Sequence, residues 1–298
     1  MHTMISYAVS MGCFGKYMTP ELAEAFRQSK IHNVEVSFEI FANDDKYTRE
    51  SKQQTLELIR QKIIRPVSAH FPFGGMWDIS ALSEGRRKCA VAMIESLIRD
   101  HAELLAPNIT VHASAEPPMK EHPVRIDNVC RSLEELVPLA EEFGLSFNVE
   151  YLPRTCIGNS AEELQTIVRF FDNKHVGICL DVNHGMNRAD ELPDIIRMLS
   201  DRIRTFHICD YDNVDELHWL AGLGCINWTE VMKAIREIPH DVYLIHEVNL
   251  VHKTWSHNID PAWELRQLAN VCYFLENCER IIPELCVFEV PGNKRTEI

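Results

Sequence analysis

The chain has 298 residues, of which 46% are hydrophobic and 25% are charged, and its formal net charge is −14 at pH 7. This composition is typical of a globular protein with a large core, and the acidic balance argues against nucleic-acid or anionic-membrane partners, which require Lys and Arg. No apolar run is long enough for a transmembrane helix, and the N-terminus does not have the composition of a signal peptide. We therefore expect a cytoplasmic protein.

Short apolar or β-branched runs alternate with amphipathic helical stretches along the whole chain. The predicted strands are 5–10, 33–39, 66–71, 108–113, 146–151, 175–182, 204–209 and 242–248. The predicted helices are 20–30, 51–62, 82–105, 124–143, 160–172, 190–199, 228–237 and 261–278. Several helices have recognisable start signals, among them Thr19 before Pro20, Asn227 before a first-turn Glu230, and Asp260 before Pro261.

Eight strand–helix units in series predict an α/β fold in which parallel strands close into a (β/α)8 TIM barrel. A doubly wound open sheet is the second choice, but no G-x-G-x-x-G motif follows an early strand. No linker or low-complexity run marks a second domain, so we expect a single domain over 1–298. Residues 280–298 form a C-terminal extension that is a candidate for packing on a neighbouring subunit.

Ten cysteines are present, but none form a C-x-x-C pair. In a reducing compartment, such thiols are expected to be free and mostly structural. Cys13 and Cys156 fall in loops near the site described next, so a reactive role for one of them is the alternative.

Four side chains that can bind a metal ion lie near the ends of the last four predicted strands: Glu150, Asp181, His207 and Glu247. A charged residue that closes a buried strand is unfavourable unless something there uses it. In a barrel, the carboxyl ends of the strands meet at one mouth, where catalytic residues gather. The pattern therefore predicts convergence on one divalent cation.

The same mouth is expected to receive further groups. His70 and His112 end the third and fourth strands, His184 follows the sixth, and Glu216 and His218 follow the seventh. Each could contact a substrate or metal ion, and a buried structural histidine is nearly as frequent for His70 and His112.

Several segments together resemble a known family. They are SAHFPF (68–73), VHAS (111–114), VEYLPRTCIGN (149–159), CLDVNHG (179–185), FHICDYD (206–212), H-x3-G-x-G-x-I-x-W from His218 to Trp228, and HEVN (246–249). Their order and spacing resemble the xylose isomerase-like barrels, which include sugar isomerases, ketose 3-epimerases, relatives of inosose dehydratase and endonuclease IV. The chain departs from close sugar-isomerase-like sequences at Leu217, where they often have Arg, and at Ala221, where they often have Pro.

The resemblance implies a metal-dependent sugar isomerase or epimerase. One divalent ion would be held by Glu150, Asp181, His207 and Glu247, and this oxygen-rich ligand set suits Mn²⁺, Mg²⁺ or Co²⁺, with Zn²⁺ as an alternative. The ion would polarise a ketose carbonyl, and its charge would stabilise the enediolate. Glu150 and Glu247 would be the catalytic residues that remove and return the proton on opposite faces.

The expected substrate contacts are less specific. They are His184, His70, His112, Arg154 and His218, with Trp77 or Phe71 as an apolar wall and with Lys253, Trp255 and His257 at the rim. Asp210 is expected to orient His207 or to bind a hydroxyl. Gly222 and Gly224 offer main-chain amides, but no basic residue stands beside them, so we expect an unphosphorylated sugar or polyol.

Two alternatives stay open. The first is a zinc phosphodiesterase that resembles endonuclease IV, whose ligand positions would match His70, His112, Glu150, Asp181, His184, His207, Glu216, His218 and Glu247. The acidic charge and the Glu216-Leu217-His218 sequence, in place of that family's Asp-Arg-His, argue against it. The second is a dehydratase or lyase acting on a keto-sugar or inosose, or a non-catalytic binding barrel. The resemblance also implies a homodimer or homotetramer.

Overall fold

Eight parallel strands form a closed barrel in sequence order in the computed structural model, which describes residues 3–42, 44–249 and 260–279. The strands are β1 (Ile5–Ser10), β2 (Asn33–Ser37), β3 (Arg65–His70), β4 (Asn108–Val111), β5 (Ser146–Glu150), β6 (Val176–Asp181), β7 (Ile203–Ile208) and β8 (Val242–His246). The barrel closes because β1 pairs with β8, from Ile5 opposite Val242 to Val9 opposite His246. The predicted (β/α)8 fold is confirmed.

One helix follows each strand and covers the outside of the barrel. The helices are α1 (Pro20–Gln28), α2 (Lys46–Arg60), α3 (Glu84–Asp100), α4 (His122–Phe143), α5 (Ala161–Arg169), α6 (Leu192–Leu199), α7 (Trp228–Arg236) and α8 (Pro261–Asn277). Among the described residues, no helix combines the length and apolar character that a bilayer crossing requires.

The predicted start signals act as caps. The side chains of Thr19, Asn227 and Asp260 each accept a hydrogen bond from a backbone amide in the first turn of α1, α7 and α8. The prediction for α2 starts too late, because Asp45 accepts a hydrogen bond from the Thr48 amide and starts the helix at Lys46. The predicted helix 82–105 is shorter, since α3 ends at Asp100 and a 3-10 turn follows it.

Two apolar clusters hold the fold together. The main core lies between the outer face of the sheet and the helices, and a small cluster of Ala8, Val67 and Ile245 is separate from it. Successive side chains of a strand point to opposite faces of the sheet. Val149 and Phe206 therefore join the main core, while Glu150 and His207 point to the opposite face, where they lie against each other. This alternation turns the polar ends of the strands toward one another. The predicted extension 280–298 lies outside the described residues.

Candidate metal centre and active site

A cavity of about 620 Å³ opens at the carboxyl ends of the strands, where the chemistry of this fold is expected. The predicted site residues that line it are His70, His112, Glu150, Arg154, His184, Glu216, His218 and Glu247. Asp181 and His207 are fully buried at the level of the two glutamates. The barrel therefore brings together residues that are as much as 177 positions apart in the sequence, from His70 to Glu247.

The four predicted metal ligands meet in one cluster. Glu150, Asp181, His207 and Glu247 each offer a ligand atom, and these atoms all lie within 4.8 Å of one another. The Nδ1 atom of His207 lies 2.9 Å from Glu247 Oε2, 3.2 Å from Glu150 Oε1 and 3.9 Å from Asp181 Oδ2. Three carboxylates and one imidazole thus surround a common point.

The chemistry of this cluster fits a divalent cation. Three acidic groups packed at this distance repel one another unless positive charge lies among them. Asp181 Oδ2 is buried and accepts no hydrogen bond from any residue that the structure describes. A buried carboxylate oxygen without a donor is costly, and a cation with an affinity for oxygen ligands would satisfy it. The residues present therefore match the ligand set that the sequence predicts.

Additional histidines surround the cluster on two sides. His112 Nε2 lies 2.8 Å and His70 Nε2 lies 3.4 Å from Glu150 Oε2, so these three residues form a second group of metal-binding type. On the other side, ligand atoms of Asp181, His184 and His218 also lie within 4.8 Å of one another.

The protonation state of His207 reflects its surroundings. Burial alone lowers the pKa of His207, but the neighbouring groups Cys179, Glu247, Glu35 and Glu150 outweigh burial and raise it well above its usual value. In the protein without a metal ion, the imidazole is therefore charged, and it supplies positive charge to the acidic cluster.

The other ionisable groups respond to one another in the same way. Burial favours a raised pKa for Glu150, but its neighbours His112 and His207 lower this pKa well below its usual value. Burial lowers and Glu150 raises the pKa of His70, with a net rise to about 9. Burial raises the pKa of Asp181. The pKa values of Glu150 and His70 thus depend on their charged neighbours as well as on burial.

Among the described residues that line the cavity, Lys16 and Arg154 are the two with cationic Lys or Arg side chains, and both form ion pairs. Arg154 pairs with both Glu116 and Glu216, and its Nε atom lies 2.6 Å from Glu116 Oε1. Lys16 pairs with Glu39. Arg154 has a positive φ of 51°, a backbone conformation that is uncommon for a residue with a side chain. The rim therefore presents paired charges.

The predicted apolar wall is supplied by a different aromatic residue. Trp77 is half-buried against the main core and Phe71 is completely buried. Phe73 lines the cavity instead, where it stacks on His112 with 4.3 Å between the ring centroids. Sequence alone does not separate these aromatic residues, because loop 71–80 has no regular periodicity. Lys253, Trp255 and His257 lie outside the described residues.

Asp210 has a role different from the expected one. It accepts hydrogen bonds from the backbone amides of Tyr211, Gly222 and Ile226 and from the Trp228 indole, and it thereby anchors the β7–α7 loop. A Cβ atom on Gly224 would lie 2.2 Å from the Tyr211 carbonyl oxygen, so this close approach requires glycine. This loop positions Glu216 and His218 at the cavity.

The cysteines near the cavity are poor nucleophiles. Burial raises the pKa of the Cys13 thiol to about 12 and that of Cys156 to about 11, so both stay protonated near neutral pH. Both line the cavity, and all cysteines that the structure describes are free. These features indicate that neither Cys13 nor Cys156 acts as a reactive thiolate.

One residue of the site was missed in the sequence. Glu35 on β2 is fully buried, and its Oε2 atom lies 3.2 Å from Nε2 of His207. A glutamate between Val34 and Val36 is a charged residue within an apolar run, and this is the pattern that identified Glu150.

Comparisons with known proteins agree with this fold. A model of the xylose isomerase-like TIM barrel family matches residues 18–267. An uncharacterised protein of Methanocaldococcus jannaschii is 26% identical over 231 residues, which is 76% of this chain and 78% of the relative.

Solved structures of sugar epimerases have the same architecture. A D-tagatose 3-epimerase-like protein superposes with a TM-score of 0.71 and 22% identity over 92% of this chain and 99% of that protein. D-psicose 3-epimerase from Clostridium cellulolyticum H10 superposes with a TM-score of 0.72 and 17% identity over 91% and 98%. The family match covers most of the sequence and the solved structures share its barrel. The chain therefore belongs to the xylose isomerase-like TIM barrel family.

Proposed function

We propose that the protein is a divalent-metal-dependent sugar isomerase or epimerase that moves a proton next to a carbonyl group. The observation that carries this proposal is the convergence of Glu150, Asp181, His207 and Glu247 beneath an open cavity. These four residues would hold Mn²⁺, Mg²⁺, Co²⁺ or Zn²⁺. When bound, such an ion supplies the positive charge that acidifies a C–H bond beside a carbonyl.

Glu150 and Glu247 are the proposed acid and base. They approach His207 from β5 and from the end of β8, and both line the cavity. The pKa of each lies below its usual value, because the charge of His207 and other histidines outweighs burial, so each can accept a proton. One carboxylate would take the proton from one face of the sugar carbon, and the other would deliver a proton to the opposite face.

His70 is a suitable proton source for this cycle. Its pKa is raised to about 9, chiefly by Glu150 acting against burial, and its Nε2 lies 3.4 Å from Glu150 Oε2. Delivery to the second face gives epimerisation, return on the first face gives an aldose–ketose shift, and loss of a neighbouring hydroxyl gives dehydration. The same first proton transfer serves all three outcomes.

The part of the rim that the structure describes favours an unphosphorylated sugar or polyol. Arg154 and Lys16 are both paired with glutamates, so neither charge is available for a phosphate without breaking an ion pair. Arg154, His184 and His218 line the cavity and are proposed contacts for sugar hydroxyls, with Phe73 as an apolar wall. A cytoplasmic location and a homodimer or homotetramer stay predictions.

The test combines metal analysis of the purified protein with a panel of free and phosphorylated ketoses, inososes and keto-glycosides in D₂O. We expect one exchangeable divalent ion per chain and metal-dependent deuterium uptake at a carbon next to the carbonyl of an unphosphorylated substrate. Metal binding without deuterium uptake from any member of the panel would argue against proton-transfer chemistry on these sugars.

A zinc phosphodiesterase is the second candidate. The observation that favours it is the pair of additional groups, His70–His112–Glu150 and Asp181–His184–His218, beside the central cluster. The formal charge of −14 disfavours DNA binding, because contact with phosphates relies on basic residues. Three tightly held zinc ions together with cleavage of an abasic-site oligonucleotide would favour the phosphodiesterase, and one exchangeable ion without cleavage would favour the sugar enzyme.

A further inference from the structure

Three histidines at the cavity are held by backbone carbonyl groups. In His70, His184 and His218, the Nδ1 atom lies within 3.1 Å of a backbone carbonyl oxygen. A carbonyl oxygen can only accept a hydrogen bond, so Nδ1 carries the hydrogen when the ring is neutral. In the neutral form of each ring, the Nε2 atom therefore keeps its lone pair.

His207 is oriented in the opposite way. Its Nδ1 atom faces the carboxylates of Glu247 and Glu150, at 2.9 and 3.2 Å, where the ligand atoms converge. Its Nε2 atom points away from that cluster toward Glu35 Oε2, at 3.2 Å. A neutral His207 can bind a cation through Nδ1 only if Nε2 carries the hydrogen.

Glu35 is held firmly in the barrel interior. It is 0% exposed, and its Oε2 atom accepts a hydrogen bond of 2.7 Å from the Ser68 hydroxyl on β3. Strands β2 and β7 are not neighbours in the sheet, so the contact between Glu35 and His207 passes through the interior of the barrel. Burying a carboxylate costs free energy unless a partner compensates it. The position of Glu35 next to His207 therefore indicates that the two side chains act together.

We propose that Glu35 is a positioning residue of the metal centre. It accepts the Nε2–H of His207, fixes the orientation of the ring, and selects the tautomer whose Nδ1 lone pair faces the cation. The inference rests on the proposed function only for the identity of the cation site. Glu35 orients His207 in the way that backbone carbonyl groups orient His70, His184 and His218. The hydrogen lies on Nε2 in His207 and on Nδ1 in the other three rings.

The first experiment measures Mn²⁺ affinity by calorimetry with the wild-type protein and with Glu35→Gln. Glutamine lacks the carboxylate charge and has an NH₂ donor in place of one acceptor oxygen, so it holds the Nε2–H of His207 less well, and binding is expected to weaken by about 10- to 100-fold. Ser68→Ala is the matched control, because it removes a hydrogen bond to Glu35 but leaves the Glu35–His207 contact. Its loss of affinity should be much smaller. Equal affinities for wild type and Glu35→Gln would overturn the inference.

The second experiment reads the tautomer directly in the wild-type protein loaded with Zn²⁺ and labelled with ¹⁵N at histidine. We expect the His207 ring, assigned by comparison with His207→Asn, to carry its hydrogen on Nε2. A hydrogen on Nδ1 would overturn the inference even if Glu35→Gln fails to fold. Failure of the wild-type protein to bind either metal would instead remove the proposed function itself, so the two failures are distinguishable.

Discussion

At the scale of single residues, the proposed metal centre brings together buried acidic and basic groups that would each be unfavourable alone. Glu150 and Asp181 are almost completely buried, and His207 is fully buried between them. Without a metal ion, the protonated imidazoles provide the positive charge that keeps the carboxylates together. A divalent ion would replace those protons.

This exchange predicts that metal affinity depends on pH. The pKa of His207 is raised well above its usual value, because its neighbours, among them Glu247 and Glu35, outweigh burial. The ring must lose its Nδ1 proton when Nδ1 becomes a ligand, so apparent Mn²⁺ affinity should rise by about tenfold for each pH unit between about pH 6 and about pH 8. Competition with a chelator at several pH values would measure this apparent affinity. An affinity that falls as pH rises would contradict this assignment.

A second prediction concerns the two proposed catalytic carboxylates, Glu150 and Glu247. Glu150→Gln and Glu247→Gln keep the shape of each side chain but remove the base, so each should reduce solvent deuterium exchange at the substrate carbon by at least about 100-fold. Nuclear magnetic resonance of the sugar product would measure the exchange. Glu116→Gln is the control, since Glu116 also lines the cavity but pairs with Arg154 and does not belong to the central acidic cluster. Exchange at the wild-type rate in either catalytic variant would refute its role.

At the scale of elements, the β7–α7 loop depends on one buried carboxylate. Asp210 accepts four hydrogen bonds, three from backbone amides and one from the Trp228 indole. An asparagine at position 210 would have to point its own NH₂ group at one or more of these N–H donors.

Asp210→Asn should therefore lower the free energy of unfolding by about 1–3 kcal/mol, measured by urea denaturation. It should also weaken substrate binding, because the same loop carries Glu216 and His218. Asp212→Asn is the control, since Asp212 is exposed and, among the described residues, its side chain accepts hydrogen bonds only from the nearby amides of Val214 and Asp215. A larger loss of stability in the control would contradict the anchoring role of Asp210.

Helix α8 provides a prediction about stability and pH. Burial first, and the charge of Asp260 second, raise the pKa of Glu264 to about 7, against an ordinary value of 4.5 in the unfolded chain. The folded protein therefore holds a proton that the unfolded chain has already lost, and stability falls as pH rises from about 4.5 to about 7. Glu264→Gln should be more stable than wild type at about pH 8, and the difference should vanish near about pH 4.5.

Thermal unfolding of wild type and Glu264→Gln across this pH range would measure the effect. Glu276→Gln on the exposed side of the same helix is the matched control and should show no such trend. A difference between Glu264→Gln and wild type that does not depend on pH would contradict the shifted titration.

The order of the elements could be predicted from sequence because each strand is a short apolar run and each helix has its own periodicity and caps. The ends were less certain: Asp45 starts α2 earlier than the apolar pattern indicates, because the cap of one polar side chain decides the boundary. The convergence of Glu150 and Asp181 in one cluster could be predicted because each ends a buried strand.

The remainder of the site required the closed barrel. Glu35 and His207 are in contact although they lie 172 positions apart in the sequence, on strands that are not adjacent. Spacing along the sequence does not show that two such residues meet in space. Asp210 was expected near His207 but its carboxylate turns toward the following loop. The choice of Phe73 over Trp77 as the aromatic residue at the cavity depends on how one irregular loop folds.

At the scale of the whole molecule, the proposed metal ion would link the carboxyl ends of β5, β6, β7 and β8. These strands form half of the closed ring, and β8 also pairs with β1, so a ligand that binds only the closed barrel should stabilise the entire fold. At a free concentration about 100 times the dissociation constant, this linkage contributes about 2.7 kcal/mol. For a chain of this size, that corresponds to a rise of several degrees in the unfolding temperature.

Scanning calorimetry of the chelator-treated protein with and without Mn²⁺ would test this prediction. Asp181→Asn is the decisive variant, because it removes one buried ligand oxygen while changing the side-chain volume very little. Wild type should gain stability with Mn²⁺ concentration, and Asp181→Asn should gain much less at every concentration. If both proteins gain equally, the ion binds elsewhere on this acidic surface, and the barrel mouth is not the metal centre.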